Sequence, residues 1–204
     1  MMDEQYRIWL GRITEMFMRY GIRSVTMDDI SRELGISKKT LYQFVSSKDE
    51  LVELMVLQHI EEEKKQGLCI TTESANAIDE MLRVTELVVS DIQQMKTNIV
   101  FDLQRYYNAA WRHVEAYQHE HMMTKVRQNL ERGIAEGLYR SDFDVDLAAR
   151  LHAAASFSLF DDRWFPRTEY PPEKVIREFF LHYLYGLVSD KGRELLKEKL
   201  SQSL

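Results

Sequence analysis

The chain has 204 residues, 45% of them hydrophobic and 29% charged, with a net charge of −6. That balance is globular, with enough apolar material for a sizeable core, and its acidity excludes a general polyanion binder held by overall charge. A single cysteine, Cys69, excludes an intrachain disulfide and fits a reducing compartment.

Only three prolines and eight glycines interrupt the chain, and no alternating strand pattern of useful length occurs. The periodicity therefore predicts an all-α protein of about nine helices. The first helix is expected from Asp3 to Tyr20, with Leu10, Ile13, Phe17 and Tyr20 inward and Gly21 at its end. Thr26 can cap a second helix, with Asp29 at the position of a capping partner. Ile30 and Leu34 share its buried face, and Gly35 suits a left-handed terminus. Ser37 can cap a third helix that turns Leu41 and Val45 inward and leaves Lys38, Lys39, Thr40, Tyr42 and Gln43 mainly toward solvent. Ser47, with Glu50 in the capping-box position, opens a fourth helix over 48–66.

Residues 61–65 read as a solvated, ion-paired face of that helix. Residues 67–74, short and threonine-rich, read as a joint between a head (1–66) and a body (67–204). In the body, Met81, Val84, Val88 and Met95 recur at helical spacing, followed by a break over 96–98 and an aromatic-rich segment. Met122, Val126, Leu130 and Ile134 mark a long helix closing at Gly137. Residues 141–144 start the next helix, which runs through three alanines at 153–155; a proline-bearing loop spans 161–172. A strongly apolar helix and a charged terminal helix over 190–204 finish the chain.

The outward face of the third helix suits nucleic acid. Lysines neutralise phosphates, and hydroxyls and amides reach phosphate oxygens or base edges. The first residues of such a helix are those that enter a major groove. Residues 23–48 carry Arg23, Arg32, Lys38, Lys39 and Lys48 against Asp28, Asp29 and Glu33, a local charge of about +2. The expected DNA-contacting set is Thr26, Ser37, Lys38, Lys39, Thr40, Tyr42, Gln43 and Lys48.

These residues carry a resemblance. Thr26, Ile30, Gly35, Ile36, Ser37, Leu41, Tyr42 and Lys48 stand at the spacing of the DNA-binding domain of the TetR family of bacterial transcriptional regulators, which the chain resembles over roughly residues 8–55. Two departures mark this sequence. Lys39 replaces the usual glycine, which should alter base contacts, and Gln43-Phe44-Val45 replaces the usual aromatic pair, which should thin the packing beneath the helix. The resemblance implies a homodimeric regulator, most often a repressor, that leaves a double-stranded DNA operator when a small hydrophobic effector binds. The acidic charge and the two departures keep a rival open, a helical protein–protein adaptor.

The helices over 144–160 and 172–188 are apolar on more than one stripe and need neighbours on several sides. The resemblance implies a four-helix dimer interface there, expected at Leu151, Ala155, Phe179, Phe180, Tyr183, Leu184 and Leu187. Tyr106, Tyr107, Trp111, His113, Tyr117 and His121 form the candidate effector-binding set, with ordinary core packing as its alternative. Asp102 and Arg105 suit a surface ion pair. His119 and His121, two apart on a helix, point to different sides, so no metal site is expected. No phosphate loop, nucleophile elbow or acid–base pair is present, so neither enzymatic activity nor a cofactor is expected. Cys69 reads as an inert thiol. The N-terminus lacks a signal-peptide pattern and the weakly polar run over 147–160 is too short to span a bilayer, which leads to the expectation of a soluble, cytoplasmic protein.

Overall fold

Local capping fixes the first corner of the fold. In the computed structural model, which describes residues 4–94 and 99–202, α1 (Glu4–Tyr20) stops at Gly21, whose φ is 85°. Helix α2 (Met27–Leu34) opens on a capping box in which Thr26 and Asp29 satisfy each other's backbone N–H groups. It closes at Gly35 with φ 68° and N–H bonds back to the helix's last carbonyls. Helix α3 (Lys38–Phe44) opens on Ser37, whose hydroxyl accepts from the Thr40 N–H. Helix α4 (Lys48–Glu73) opens on Ser47, which accepts from the Glu50 N–H, while the Glu50 carboxylate reaches Ser46 rather than Ser47.

The remaining elements are α5 (Ala77–Gln94), α6 (Ile99–Tyr106), α7 (Asn108–Tyr117), a π-helical segment (Gln118–Met122), α8 (Met123–Ala135), α9 (Val145–Ser158), α10 (Pro172–Leu187) and α11 (Asp190–Gln202). Taking the uninterrupted run from α7 through α8 as one, these make ten helices. No strand occurs among the described residues, only an isolated bridge between Tyr139 and Val188. The expected break at 96–98, Met95, Asp3 and residues 203–204 lie outside the described residues.

Three helix assignments differ from expectation. Helix α4 runs on to Glu73, through the stretch read as an interdomain joint. Thr71 and Thr72 donate their hydroxyls to the Gly67 and Leu68 carbonyls, so they stay within the helix, and the chain leaves it at residues 74–76. On α5 the buried stripe is Ile78, Met81, Thr85, Val89 and Ile92, leaving Val84 and Val88 half-buried. On α1, Tyr20 is exposed rather than inward.

The chain divides into two compact units, and not at a single cut. The first comprises Met1–Lys64 and Gln93–Tyr117; the second comprises Lys65–Ile92 and Gln118–Leu204. In the first, Leu10, Ile13, Phe17, Ile30, Leu41 and Leu51 share one core with Ile99, Leu103, Tyr107 and Ala110 from α6 and α7. A head confined to residues 1–66 would expose that side of its core. In the second unit, Ile78, Leu130, Tyr139, Ala149, Ile176, Leu184 and Leu196 are buried. Its central polar groups are paired. The Asn129 amide donates to the Ala77 carbonyl at 3.0 Å, and the Tyr139 hydroxyl lies 3.1 Å from the Asn129 side-chain oxygen.

Candidate nucleic-acid interface

Helix α3 is held by one buried residue and two caps. Leu41 is 2% exposed and anchors the inner side. Ser37 caps the start, and Val45 donates its N–H to the Leu41 carbonyl at the end. Between them Lys38, Lys39, Tyr42 and Gln43 are exposed, and Thr40 is half-buried with its hydroxyl 2.7 Å from that of Ser37. The hydroxyl of Thr26 is likewise committed, bonding the Asp29 carboxylate at 2.6 Å. Ser37, Thr40 and Thr26 thus shape the corner directly, whereas the two lysines, Tyr42 and Gln43 present chemistry outward.

The acids of this corner are paired within it. Asp28 lies 2.9 Å from the Lys38 ammonium and raises its pKa. Asp29 bonds Thr26 and lies 3.3 Å from Arg32; the Thr26 hydrogen bonds are the main reason its carboxyl titrates below the ordinary range. Glu33 pairs with Arg12 of α1 at 3.0 Å. Lys39 has no ion pair among the described residues, so the lysine that departs from the family pattern is the most available cation of the face. Exposed pairs are weak and break readily for a phosphate. Replacing Asp28 by Asn should therefore free Lys38 and tighten DNA binding by about two- to fivefold at low salt, with a steeper salt dependence. A titration of one duplex at two salt concentrations checks this; weaker binding by Asp28→Asn would show that the carboxylate orients Lys38 productively.

Beneath α3 a shallow open cleft is lined by Tyr6, Trp9, Leu10, Ile13, Leu41, Phe44, Val45 and Leu51. Helix α1 covers part of it with rings: Trp9 meets Phe44 edge-on at 4.8 Å between centroids, and Tyr6 lies at 6.1 Å. Phe44 is still 40% exposed.

The residues expected to bind an effector have other partners. The Tyr106 ring carries the Arg23 guanidinium at 4.2 Å from its centroid, and its hydroxyl accepts from Arg23 at 3.2 Å. Lys48 in turn directs its ammonium to the Arg23 carbonyl at 3.4 Å, and burial lowers its pKa. Tyr107 is buried in the core of the first unit, with Trp111 and Tyr117 packed against that core. His113 lies 2.7 Å from the Glu53 carboxylate of α4. The phenol of Tyr117 is pushed up by burial and by Glu63. Five of the six therefore build the first unit, and His121 belongs to the second. The reading of ordinary packing fits them better than an open pocket, because α6 and α7 close the side of the core that α1–α4 leave uncovered.

The dimer set divides too. Phe180, Leu184 and Leu187 are 7%, 0% and 5% exposed and sit in the second unit's own core. Phe179, Tyr183 and Ala155 are half-buried, while Leu151 is 63% exposed. Leu151 lies on an outward stripe of α9 with Leu147 and Ala154. Cys69 is exposed and donates to Glu73 at 3.1 Å, a contact that raises its pKa and so disfavours the reactive thiolate. Among the described residues no group of three or more His, Cys, Asp or Glu could hold a metal ion, and no helix is long and apolar enough to cross a membrane.

Comparison with known proteins places the corner among regulators. Residues 12–55 match the family described as bacterial regulatory proteins, tetR family. The chain is 34% identical over 95 residues to an uncharacterized HTH-type transcriptional regulator, YvaF, of Bacillus subtilis; that match covers 46% of this chain and spans half the length of that relative. It is 22% identical over 185 residues, 87% of each chain, to the HTH-type transcriptional repressor KstR2 of Mycolicibacterium smegmatis. A transcriptional regulator from Cytophaga hutchinsonii shares the fold, with a TM-score of 0.75, 14% identity, and coverage of 92% of this chain and 100% of that one.

Proposed function

This chain belongs to the TetR family of bacterial regulatory proteins, and we propose that it acts as a homodimeric DNA-binding repressor released from its operator by a small, mostly apolar effector. The observation that carries the reading is the outward face of α3, where Lys38, Lys39, Tyr42 and Gln43 stand exposed on a doubly capped helix anchored by Leu41. A face of this kind meets the major groove, Lys38 and Tyr42 fixing position on phosphates and Lys39 reading bases. Lys39 reads sequence in this assignment, and Tyr42 and Lys48 hold the backbone. Release follows if an effector binds one dimer geometry better than another and only one of them fits the operator spacing. The cytoplasm, where the DNA lies, is its place of action.

A competition assay tests the role assignment. Tyr42→Ala should weaken all duplexes about equally, whereas Lys39→Ala should change which duplex is preferred; equal loss of selectivity in both would contradict it.

The partner surface is the Leu147–Leu151–Ala154 stripe of α9, flanked by Tyr183 and Phe179, rather than the buried side of α10. Leu151→Glu places a charge where a second copy would bury it, so it should halve the sedimenting mass and cut operator affinity by tenfold or more, to about the level of one head. An unchanged mass would remove this stripe from the interface.

A further inference from the structure

The stretch that leads into α2 carries a cation outside the α3 face. Arg23 is exposed and lies three residues before Thr26. Its carbonyl accepts from the Lys48 ammonium at 3.4 Å, so it sits beside the start of α4. Its guanidinium is held by a ring. The central carbon stands 4.2 Å from the centroid of Tyr106, and Nη1 donates to the Tyr106 hydroxyl at 3.2 Å. Tyr106 ends α6, where the core fixes the chain: Leu103 and Tyr107 are buried, and the Tyr107 N–H bonds the Leu103 carbonyl. Phe101 meets the Tyr106 ring edge-on at 6.4 Å. An aromatic face orients a guanidinium without cancelling its charge, as a carboxylate would. Arg12, Arg32 and Lys38 each pair with a carboxylate. Arg23 forms no ion pair among the described residues. Asp102 of α6 and Asp49 act instead on the neighbouring Lys48, opposing the effect of its burial.

We propose that Arg23 is a further contact to the DNA phosphates, and that Tyr106 is the positioning residue that presents it. This rests on the reading of the chain as a DNA-binding regulator, and it adds to the grip a residue from α6, beyond the first four helices. Place supports the role. Arg23 stands next to Thr26 and Lys48, two members of the expected DNA-contacting set. Thr26 spends its hydroxyl on Asp29 at 2.6 Å, so an outward donor at this end of the interface has to come from a neighbour. A guanidinium has several N–H donors in one plane; one is given to Tyr106, and the others can meet phosphate oxygens. A cation already oriented on a ring loses less freedom when it binds than one on a loose side chain. Arg23 precedes α2 rather than lying on α3, so it holds the backbone and reads no bases.

The test titrates the intact protein with two duplexes of equal length, one recovered by selection from genomic DNA and one unrelated, over a range of salt. Arg23→Ala should weaken both by about tenfold at low salt. It should also flatten the slope of log affinity against log salt by about one per head. Arg23→Gln should behave like Arg23→Ala, and Arg23→Lys should restore the slope. Tyr106→Leu leaves the charge but removes the ring face, so it should weaken both duplexes by about threefold. Tyr106→Phe keeps the face and should bind within about twofold of the parent. In the Arg23→Ala background Tyr106→Leu should cost nothing more, because the ring acts through the guanidinium. The contact role is overturned if Arg23→Ala and Arg23→Gln bind with the parent's affinity and slope, or if they change which duplex is preferred. The positioning role is overturned if Tyr106→Leu costs the same with and without Arg23, or if Tyr106→Phe loses as much as Tyr106→Leu. A parent that retains neither duplex takes down the regulator reading as well; a parent that binds, beside Arg23 variants that match it, takes down this proposal alone.

Discussion

Gly192→Ala is expected to lower the stability of the second unit by about 3 kcal/mol or more, at the upper end of what overpacking costs. A Cβ at this position would sit 2.0 Å from the Leu138 carbonyl oxygen and 2.9 Å from its carbon, both backbone atoms that cannot swing aside. The approach is close because the first turn of α11 is docked on the turn after α8. Ser189 donates its N–H to Leu138 at 2.9 Å and its hydroxyl to Gly137 at 2.8 Å, and Lys191 reaches the Glu136 carbonyl at 3.1 Å. Gly137 itself has a φ of 69°, so the turn has little freedom to retreat. Relief requires moving α11, which would uncover Leu196, now fully buried. Gly11→Ala is the control. A Cβ there meets nothing within 4 Å, and alanine should add up to about 1 kcal/mol at this half-buried helix position. Calorimetric melting of both variants checks the contrast. A Gly192→Ala protein within about 0.5 kcal/mol of the parent would show that the turn yields.

The second large effect concerns acid. Burial alone lowers the His152 pKa from 6.5 to about 4, because the imidazolium would lose its water among aromatic rings. The sign follows from linkage. Between about pH 6.5 and 4 the unfolded chain binds a proton on His152 that the folded chain refuses, so the unfolded state gains as pH falls. The contribution is fully present above the unfolded pKa and is lost progressively down to the folded value. About 2.5 pH units at 1.36 kcal/mol each amounts to roughly 3 kcal/mol. Denaturant titrations at pH 7 and pH 4.5 should therefore separate by most of that amount, and His152→Phe should close most of the gap. Equal gaps in parent and variant would assign the acid sensitivity to other groups. The carboxyl caps Asp29 and Glu50 titrate at lower pH, since hydrogen bonds from Thr26 and Ser46 depress them below the ordinary range.

What was legible in the sequence was local. The Thr26–Asp29 box, Gly35 and the Ser37 cap each depend on residues three or four apart, so spacing alone locates them. The same applies to the outward lysines of α3, whose direction follows from the inward pull of Leu41. The end of α4 escapes a local reading for the same reason. Gly67 and two threonines look like a breaker, but each threonine satisfies its hydroxyl on the carbonyl four residues back and the helix continues. Tertiary partners left no local trace. Nothing in the spacing of Tyr106 shows that its ring will carry Arg23, 83 residues away in sequence. Periodicity also cannot tell whether an apolar stripe faces its own core or a second copy. Phe180 and Leu184 look like interface residues until their burial is known, and the exposed stripe falls instead on α9, where Leu147 and Leu151 recur at helical spacing.

Regulation by this chain depends on the outer side of α3 entering duplex grooves. Its most direct test is selection of genomic DNA fragments by the intact protein at about 50 mM and 200 mM salt, with Lys39→Ala in parallel. The expected result is a sequence-selective pool whose retention falls by tenfold or more across that range, since several phosphates are neutralised, and a different enriched sequence with Lys39→Ala. Fragments retained without sequence preference, or a pool that Lys39→Ala leaves unchanged, would contradict it.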